Sequence, residues 1–455
     1  MALRLLLNGT DYTSWTEIES LEASDSLTTA TNTCRFRLVI RSGQVAAPIP
    51  GAEIKWQVGD AVNGWRNVFA GVLARITESI VAPDSLAYDC ECTDYLPWFN
   101  RHLVAEDYPS QGADDIVRAI VTNYANQGMA PGYTFSANHV ETAPVVPTQQ
   151  FAYVSPGDAI GQLAQLLSWL WYIDYDRDVH FFGLEGEPAP LPGGVLDCTL
   201  GAGNLAIGDL TVTSDMTQLK NRVFVMGYKV RSTVTITDTF TGDGQTTTFY
   251  LSEEPSHNLG DITVTVGGVA YVPKRDIADG QPGNDPAGNF AYFNYGQHSV
   301  RFTTAPANGA AIQVTYKYLI DAVLMREEPQ AQQWQRIHAD GATDGIYEYR
   351  HDNPGLPVDD QSYIDLMAAQ LLYRYAWQQK SGSFTVFVPA GSGYTPWRAG
   401  QHFTFQSHGT RFGGLLDGET MWVVKVTTTV ASADAATGAV TLKHEIDWAN
   451  TPYLG

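Results

Sequence analysis

Cys34-Arg-Phe-Arg-Leu-Val-Ile alternates apolar and charged residues one by one. That is the period of a strand with one face in a core and the other in water. The same texture recurs through the first hundred residues. Glu53-Ile-Lys-Trp-Gln-Val ends in a Gly59-Asp60 turn, Val68-Phe-Ala-Gly-Val-Leu-Ala-Arg-Ile follows, and Leu86-Ala-Tyr-Asp-Cys-Glu-Cys comes after it. Short strands with turn signals between them and no long helix predict an antiparallel barrel or sandwich. Met1-Ala-Leu-Arg-Leu-Leu-Leu, broken by Arg4 and ended by Asn8-Gly9, reads as a first strand and a turn rather than a secretory leader.

A different pattern begins near residue 106. Ile116, Ile120 and Tyr124 fall four residues apart behind Asp114 and Asp115, as on an amphipathic helix with acids in its first turn. Ser155-Pro156-Gly157-Asp158 is a helix start: Ser as cap, Pro in the first turn, an acid three residues on. The helix it opens is expected to carry Ile160, Leu163, Leu167 and Leu170 on one stripe, then to meet Trp171-Tyr-Ile-Asp, a turn, and Val179-His-Phe-Phe, a β-hairpin. From about Thr235 to Tyr318 the chain is rich in Thr, Gly and Val and predicts an inserted β-sandwich. A helix over 359–379 and four further strand-like runs complete a second barrel.

The fold class expected is therefore mainly β with an α+β middle segment: two antiparallel barrels, a small α/β domain and an inserted β-sandwich. The boundaries expected are 1–105 for the first barrel, 106–200 for the middle domain, and 201–234 for the start of the second barrel. The insertion spans 235–320, and 321–455 supplies a helix and the rest of the second barrel.

Composition narrows function. The chain has 455 residues, 27 Lys plus Arg against 49 Asp plus Glu, and a net charge of −22. So acidic a chain is unsuited to clamping phosphate backbones. Its apolar runs fall short of a membrane span. Four cysteines do not make a disulfide scaffold, and Cys90 and Cys92 share one strand face, as core thiols do. No phosphate-binding loop, His-Glu-x-x-His or Gly-x-Ser-x-Gly motif occurs, so no catalytic, cofactor-binding or metal residues are assigned and no cofactor is expected. Asp174, Asp176 and Asp178, with Glu185, match calcium-loop ligand spacing, but Val179 stands where the loop needs glycine. The spacing reads as a charged hairpin turn. In the insertion, Tyr271, Tyr292, Phe293 and Tyr295 are candidate contacts for a glycan or protein partner.

The segment Phe151-Ala-Tyr-Val-Ser-Pro-Gly-Asp, with the helix and hairpin that follow it, resembles the helix–hairpin segment of phage tail hub proteins, found at the distal end of the tail tube. The order before it is similar, through Gly59-Asp60, Phe69-Ala-Gly-Val-Leu and Tyr88-Asp-Cys-Glu-Cys-Thr-Asp-Tyr. So is the order after it, with Trp397-Arg-Ala-Gly-Gln-His-Phe-Thr-Phe and Met421-Trp-Val-Val-Lys-Val. Gly242-Asp-Gly-Gln-Thr-Thr-Thr-Phe and Phe302-Thr-Thr-Ala-Pro-Ala-Asn-Gly resemble small β modules of tail proteins.

The resemblance implies two tube-like barrels per chain and a homotrimer forming a pseudo-sixfold ring. It implies a non-enzymatic hub at the distal tip of the virion tail, assembled in the host cytoplasm. Its partners are the tail tube or distal tail protein, a central fibre or spike, and the tape measure protein. DNA would pass the lumen without specific binding, and this chain would not enter a membrane. With no fibre or hydrolase region before Gly455, any receptor-binding part is expected in the insertion or in another protein. The alternative reading is a host-glycan or receptor-binding protein acting through the insertion.

Overall fold

The computed structural model describes residues 2–27, 31–60, 64–146, 148–167, 169–183, 186–197, 207–276, 288–339, 341–352, 361–388, 395–406, 418–434 and 439–450. Alternation builds the first barrel as expected. Along Thr33–Arg41 the residues Cys34, Phe36, Leu38 and Ile40 point inward and are buried, while Arg35 and Arg41 point out. Ala2–Leu7, Glu53–Asp60, Gly64–Ala82, Ser85–Thr93 and Thr33–Arg41 pair antiparallel in that order. An isolated bridge between Thr16 and Leu38 sets the segment after Ala2–Leu7 against Thr33–Arg41. Gly71 sits where Gly64–Ala82 crosses Ser85–Thr93 most closely. A Cβ there would lie 2.0 Å from the Thr93 carbonyl oxygen, so only glycine fits.

Cys90 and Cys92 do share a face. With Cys34, directly opposite Cys92, they are free and buried in the barrel. Burial pushes the Cys90 thiol up to about 12 and those of Cys34 and Cys92 well above their ordinary value, so these sulfurs are protonated packing groups. Cys198 lies outside the described residues.

The middle segment holds the helix Ala113–Ile120, which widens through one i→i+5 turn ending at Asn126, and the helix Pro156–Leu167. Ser155 caps the latter: its Oγ accepts from Asp158 N at 3.1 Å and donates to Asp158 Oδ2 at 2.7 Å. Ile116, Ile120, Ile160, Leu163 and Leu167 join one continuous core with the first barrel's Trp56, Phe69 and Leu73. No break in packing separates the two near residue 105.

The second barrel sheet runs Ile207–Asp215, Gln379–Val388, Val440–Ala449, Thr420–Ala433, with His402–Gln406 beside the last. Phe384, Trp397, Phe403, Phe405, Met421 and Trp448 fill it. Val195–Asp197, assigned by the expected boundary at 200 to the middle domain, pairs parallel with His402–Gln406 and belongs to this sheet instead. Thr420–Ala433 also pairs with Glu22–Ser26, which pairs with Thr33–Arg41. Both barrels are thus cut from one 13-stranded sheet.

The expected insertion boundaries fall in mid-strand. Arg222–Thr241 and Ala311–Glu327 pair from Arg222–Glu327 to Thr241–Ala311. A bulge between Arg231 and Thr235 divides this long hairpin between two cores. Buried Ser232 stabilises the bulge, donating to Val234 O and accepting from Tyr318 N. Beyond it, Ile312, Val314 and Tyr316 pack in the β-sandwich with Ile262, Val264 and Phe302. Before it, Val223 and Val225 pack under Ile364, Ala368 and Leu372 of the helix Gln361–Tyr375. That helix is shorter than expected, since Gln379 already opens the next strand. A helix over Pro329–His338, capped by Glu328, was not expected.

Candidate interaction surfaces and a histidine–carboxylate cluster

The insertion aromatics do not form a common surface. Phe290–Asn294 is covered on both faces, so the adjacent side chains of Tyr292 and Phe293 are 0% and 1% exposed. Phe293 packs in the sandwich core with Val300 and Phe302. Tyr292 receives the Arg301 guanidinium 5.6 Å from its ring, and Arg301 is in turn ion-paired to Asp276. Neither offers surface to a partner, which corrects the expectation for these two. Tyr271 is half-buried against Phe302, and Tyr295 is half-buried on the ring of His257, 4.0 Å away. The module instead exposes Tyr250, Val269 and Val272. Alternation around buried Phe249 points to Tyr250 as the outward residue of Thr248–Tyr250.

Other exposed apolar surface lies on the barrels and the long hairpin. Ile80, 80% exposed, and Val81 stand at the tip of the hairpin joining Gly64–Ala82 to Ser85–Thr93. Val323 and Met325 are exposed opposite Met226 and Phe224, on the face turned away from the Gln361–Tyr375 helix. Among the described residues, the edge of Ile207–Asp215 not facing Gln379–Val388 has no strand partner. A cleft of about 400 Å³ lies between the barrels and the middle hairpin, lined by Trp65, Arg66, Asn67, Asp176 and Arg398.

The acidic turn is a hairpin turn, as its apolar continuation suggested. Asp174 Oδ1 accepts from Asp176 N at 2.8 Å and Asp178 N at 2.7 Å, and Arg177 adopts φ 66°. Asp176 accepts from Asn67 Nδ2 of the first barrel. Glu185 lies outside the described residues.

Asp178 turns away from the other two acids and accepts from Thr134 Oγ1, Ser136 N and His139 Nδ1. Burial works to raise its pKa, but these bonds outweigh burial and hold it below the usual aspartate range. His139 is pinned by its own carbonyl, which accepts from Phe181 N. Its ring stacks 4.0 Å from that of His180, which stacks in turn 4.3 Å from Tyr172. One donor atom each from His139, Asp178 and His180 lies within 4.8 Å of the others. Sequence spacing could not reveal this group, because His139 stands 39 residues from Asp178.

No family model matches the chain, and no curated protein matches it. Two solved structures share its fold over nearly the whole length. One is the 43 kDa tail protein of prophage MuSo2 from Shewanella oneidensis, 10% identical, with a TM-score of 0.51 over 98% of this chain and 98% of that one. The other is a tail protein from Neisseria meningitidis MC58, 7% identical, with a TM-score of 0.52 over 98% of this chain and 96% of that one. At these identities the likeness is one of fold.

Proposed function

We propose that this chain is a structural, non-enzymatic component of a phage tail, and that its place is the hub at the distal tip. The observation that carries the reading is the end-to-end likeness of fold to two tail proteins, one of them from prophage MuSo2. The sheet architecture supports the finer part. Two barrels joined edge to edge through Glu22–Ser26 and Thr420–Ala433 give each chain two similar units side by side. Three chains then supply six units, so a ring of three can face a sixfold tube on one side and a threefold fibre or spike on the other. The edge of Ile207–Asp215 that is unpaired among the described residues is a ready site for backbone pairing with another copy.

A net charge of −22 suits a conduit, because a carboxylate-rich wall repels phosphates and lets DNA pass without sticking. Tail tube or distal tail protein, central fibre or spike, and tape measure protein are the partners this reading assigns. Glycan recognition by the insertion is the weaker reading, now that Tyr292 and Phe293 are interior.

Light scattering of the purified chain across a concentration series tests the proposal. Three times the 49.7 kDa chain mass, with ring-shaped particles in negative stain, is the expected result. A monomer at every concentration overturns the ring.

A further inference from the structure

The cleft between the barrels and the middle hairpin brings unlike groups together from three parts of the fold. Trp65, Arg66 and Asn67 come from the first barrel, Asp176 from the hairpin turn, and Thr395 and Arg398 from the entry to the second barrel. Some of these groups are committed. Arg398 donates to the Asn67 and Val68 carbonyls, and Asn67 Nδ2 donates to the Tyr175 carbonyl and to Asp176 Oδ1. Three are free. Arg66 is exposed and has no hydrogen bond or ion pair among the described residues, in a chain where 27 Lys and Arg face 49 Asp and Glu. Asp176 Oδ2 accepts nothing among them. Trp65 holds the Arg4 guanidinium 4.1 Å from its ring centroid and is half-buried, so part of the indole surface remains for the cleft.

These three groups define a ligand. A free guanidinium calls for an anion, which its planar fork can grip. A carboxylate oxygen on the same cleft calls for O–H or N–H donors and repels a second negative charge. A half-exposed indole calls for an apolar ring face. One carboxylate, several hydroxyls and an apolar ring face together describe an acid sugar. A DNA strand offers the anion without the hydroxyls. An extended peptide needs a free strand edge, but residues 65–67 pair with 57–59 and the Asn67 and Val68 carbonyls are taken by Arg398. The cleft volume of about 400 Å³ is that of a small-ligand site.

We propose that this cleft binds a hexuronic acid unit of an acidic polysaccharide, with Arg66 on its carboxylate, Trp65 against its ring and Asp176 accepting from its hydroxyls. The inference does not rest on the ring of three. It gives the chain a second role, contact with a carboxylated surface sugar, at a place away from the insertion. Because the walls come from three parts of the fold, a bound sugar also braces the barrels against the hairpin and raises the melting temperature.

The test is calorimetric titration of the full chain with sodium glucuronate and with its methyl ester, which keeps ring and hydroxyls but loses the charge. Inorganic phosphate and oligothymidylate are titrated beside them. Glucuronate is expected to saturate one site per chain near ~1 mM. The ester is expected to bind about tenfold more weakly. Arg66→Gln is expected to weaken glucuronate about tenfold and to leave the ester unchanged, with Arg66→Lys in between. Arg66 holds nothing else in place, so both variants keep the fold, which circular dichroism verifies. Absence of saturable glucuronate binding overturns the proposal. So does equal affinity for acid and ester, or an Arg66→Gln variant that binds glucuronate as tightly as the unmutated chain. Tighter binding of phosphate or oligothymidylate than of glucuronate overturns it as well, and assigns the cleft to a phosphate-bearing ligand.

Discussion

The guanidinium of Arg398 lies 3.7 Å from the ring centroid of Tyr175, so the entry to the second barrel stacks on the middle hairpin turn. The same guanidinium donates to the Val68 and Asn67 carbonyls of the first barrel, at 3.0 and 2.9 Å, and approaches Asp25 Oδ2 at 4.0 Å. One side chain thereby holds three parts of the fold. Arg398→Ala strands two carbonyls and an acid whose side chain is 14% exposed, and is expected to cost about 3 kcal/mol. Arg398→Lys is expected to recover less than half of that, because an ammonium cannot reproduce the planar fork. Urea midpoints of the three proteins at pH 7 check both.

Asp25 lies on the seam strand between the barrels. Burial, opposed by the weaker pull of Arg398, raises its carboxyl to about 6, and burial raises Asp94 to about 6 as well. An unfolded aspartate titrates near ~3.9, so between roughly pH 4 and 6 the native state binds more protons than the unfolded chain. The stability these groups contribute is therefore fully present below pH ~4 and is lost as pH rises through ~6. Asp25→Asn is expected to stabilise the protein by about 2–3 kcal/mol at pH 7.5 and by almost nothing at pH 4. Denaturant melts of the pair at the two pH values measure the difference, and an equal effect at both refutes the assignment.

His444 acts with the opposite sign. It is 0% exposed, shares a hydrogen bond with Thr428 Oγ1 at 2.9 Å, and burial lowers its pKa to about 3. Unfolded histidine titrates near ~6.5, so the stability tied to its neutral form is present above that value and lost as pH falls toward ~3. At pH 5 the loss is about 2 kcal/mol. In His444→Gln, which keeps a partner for Thr428 without a titrating ring, the drop between pH 7 and pH 5 is expected to shrink by about that amount.

The sequence disclosed local structure wherever one residue's neighbours decide its state. Thr33–Arg41 alternates because one face is core, and Ser155 caps because the hydroxyl and Asp158 sit three apart. It was silent where a strand changes partners. Strand-like residues continue through 235 and 320, although the hairpin leaves one core for another at the Ser232 bulge. Tyr292 and Phe293 point to opposite faces, and nothing local says that both faces are covered. Pro329 after Glu328 does carry a helix-start signal, cap and first-turn proline together. The cluster at His139 joins residues from separate segments and exists only once Val179–Phe182 is docked beside 134–140.

Gly382 connects packing to assembly. It lies opposite Val212 and Trp448, and a Cβ there would stand 2.0 Å from the Thr211 carbonyl oxygen and 2.7 Å from the Trp448 ring. Neither a backbone oxygen nor a fully buried indole can yield that distance, so Gly382→Ala must push Ile207–Asp215 away from its sheet. Overpacking of this kind costs about 1–3 kcal/mol. It leaves the first barrel and the β-sandwich, with their separate cores, untouched. If the free edge of Ile207–Asp215 pairs with a second copy, the variant is expected to keep its circular dichroism at 20 °C, within ~10 °C of the usual maximum of stability, and lose its threefold mass. A variant that keeps full mass in light scattering, with amide exchange along 207–215 accelerated, shows that the ring closes through another surface.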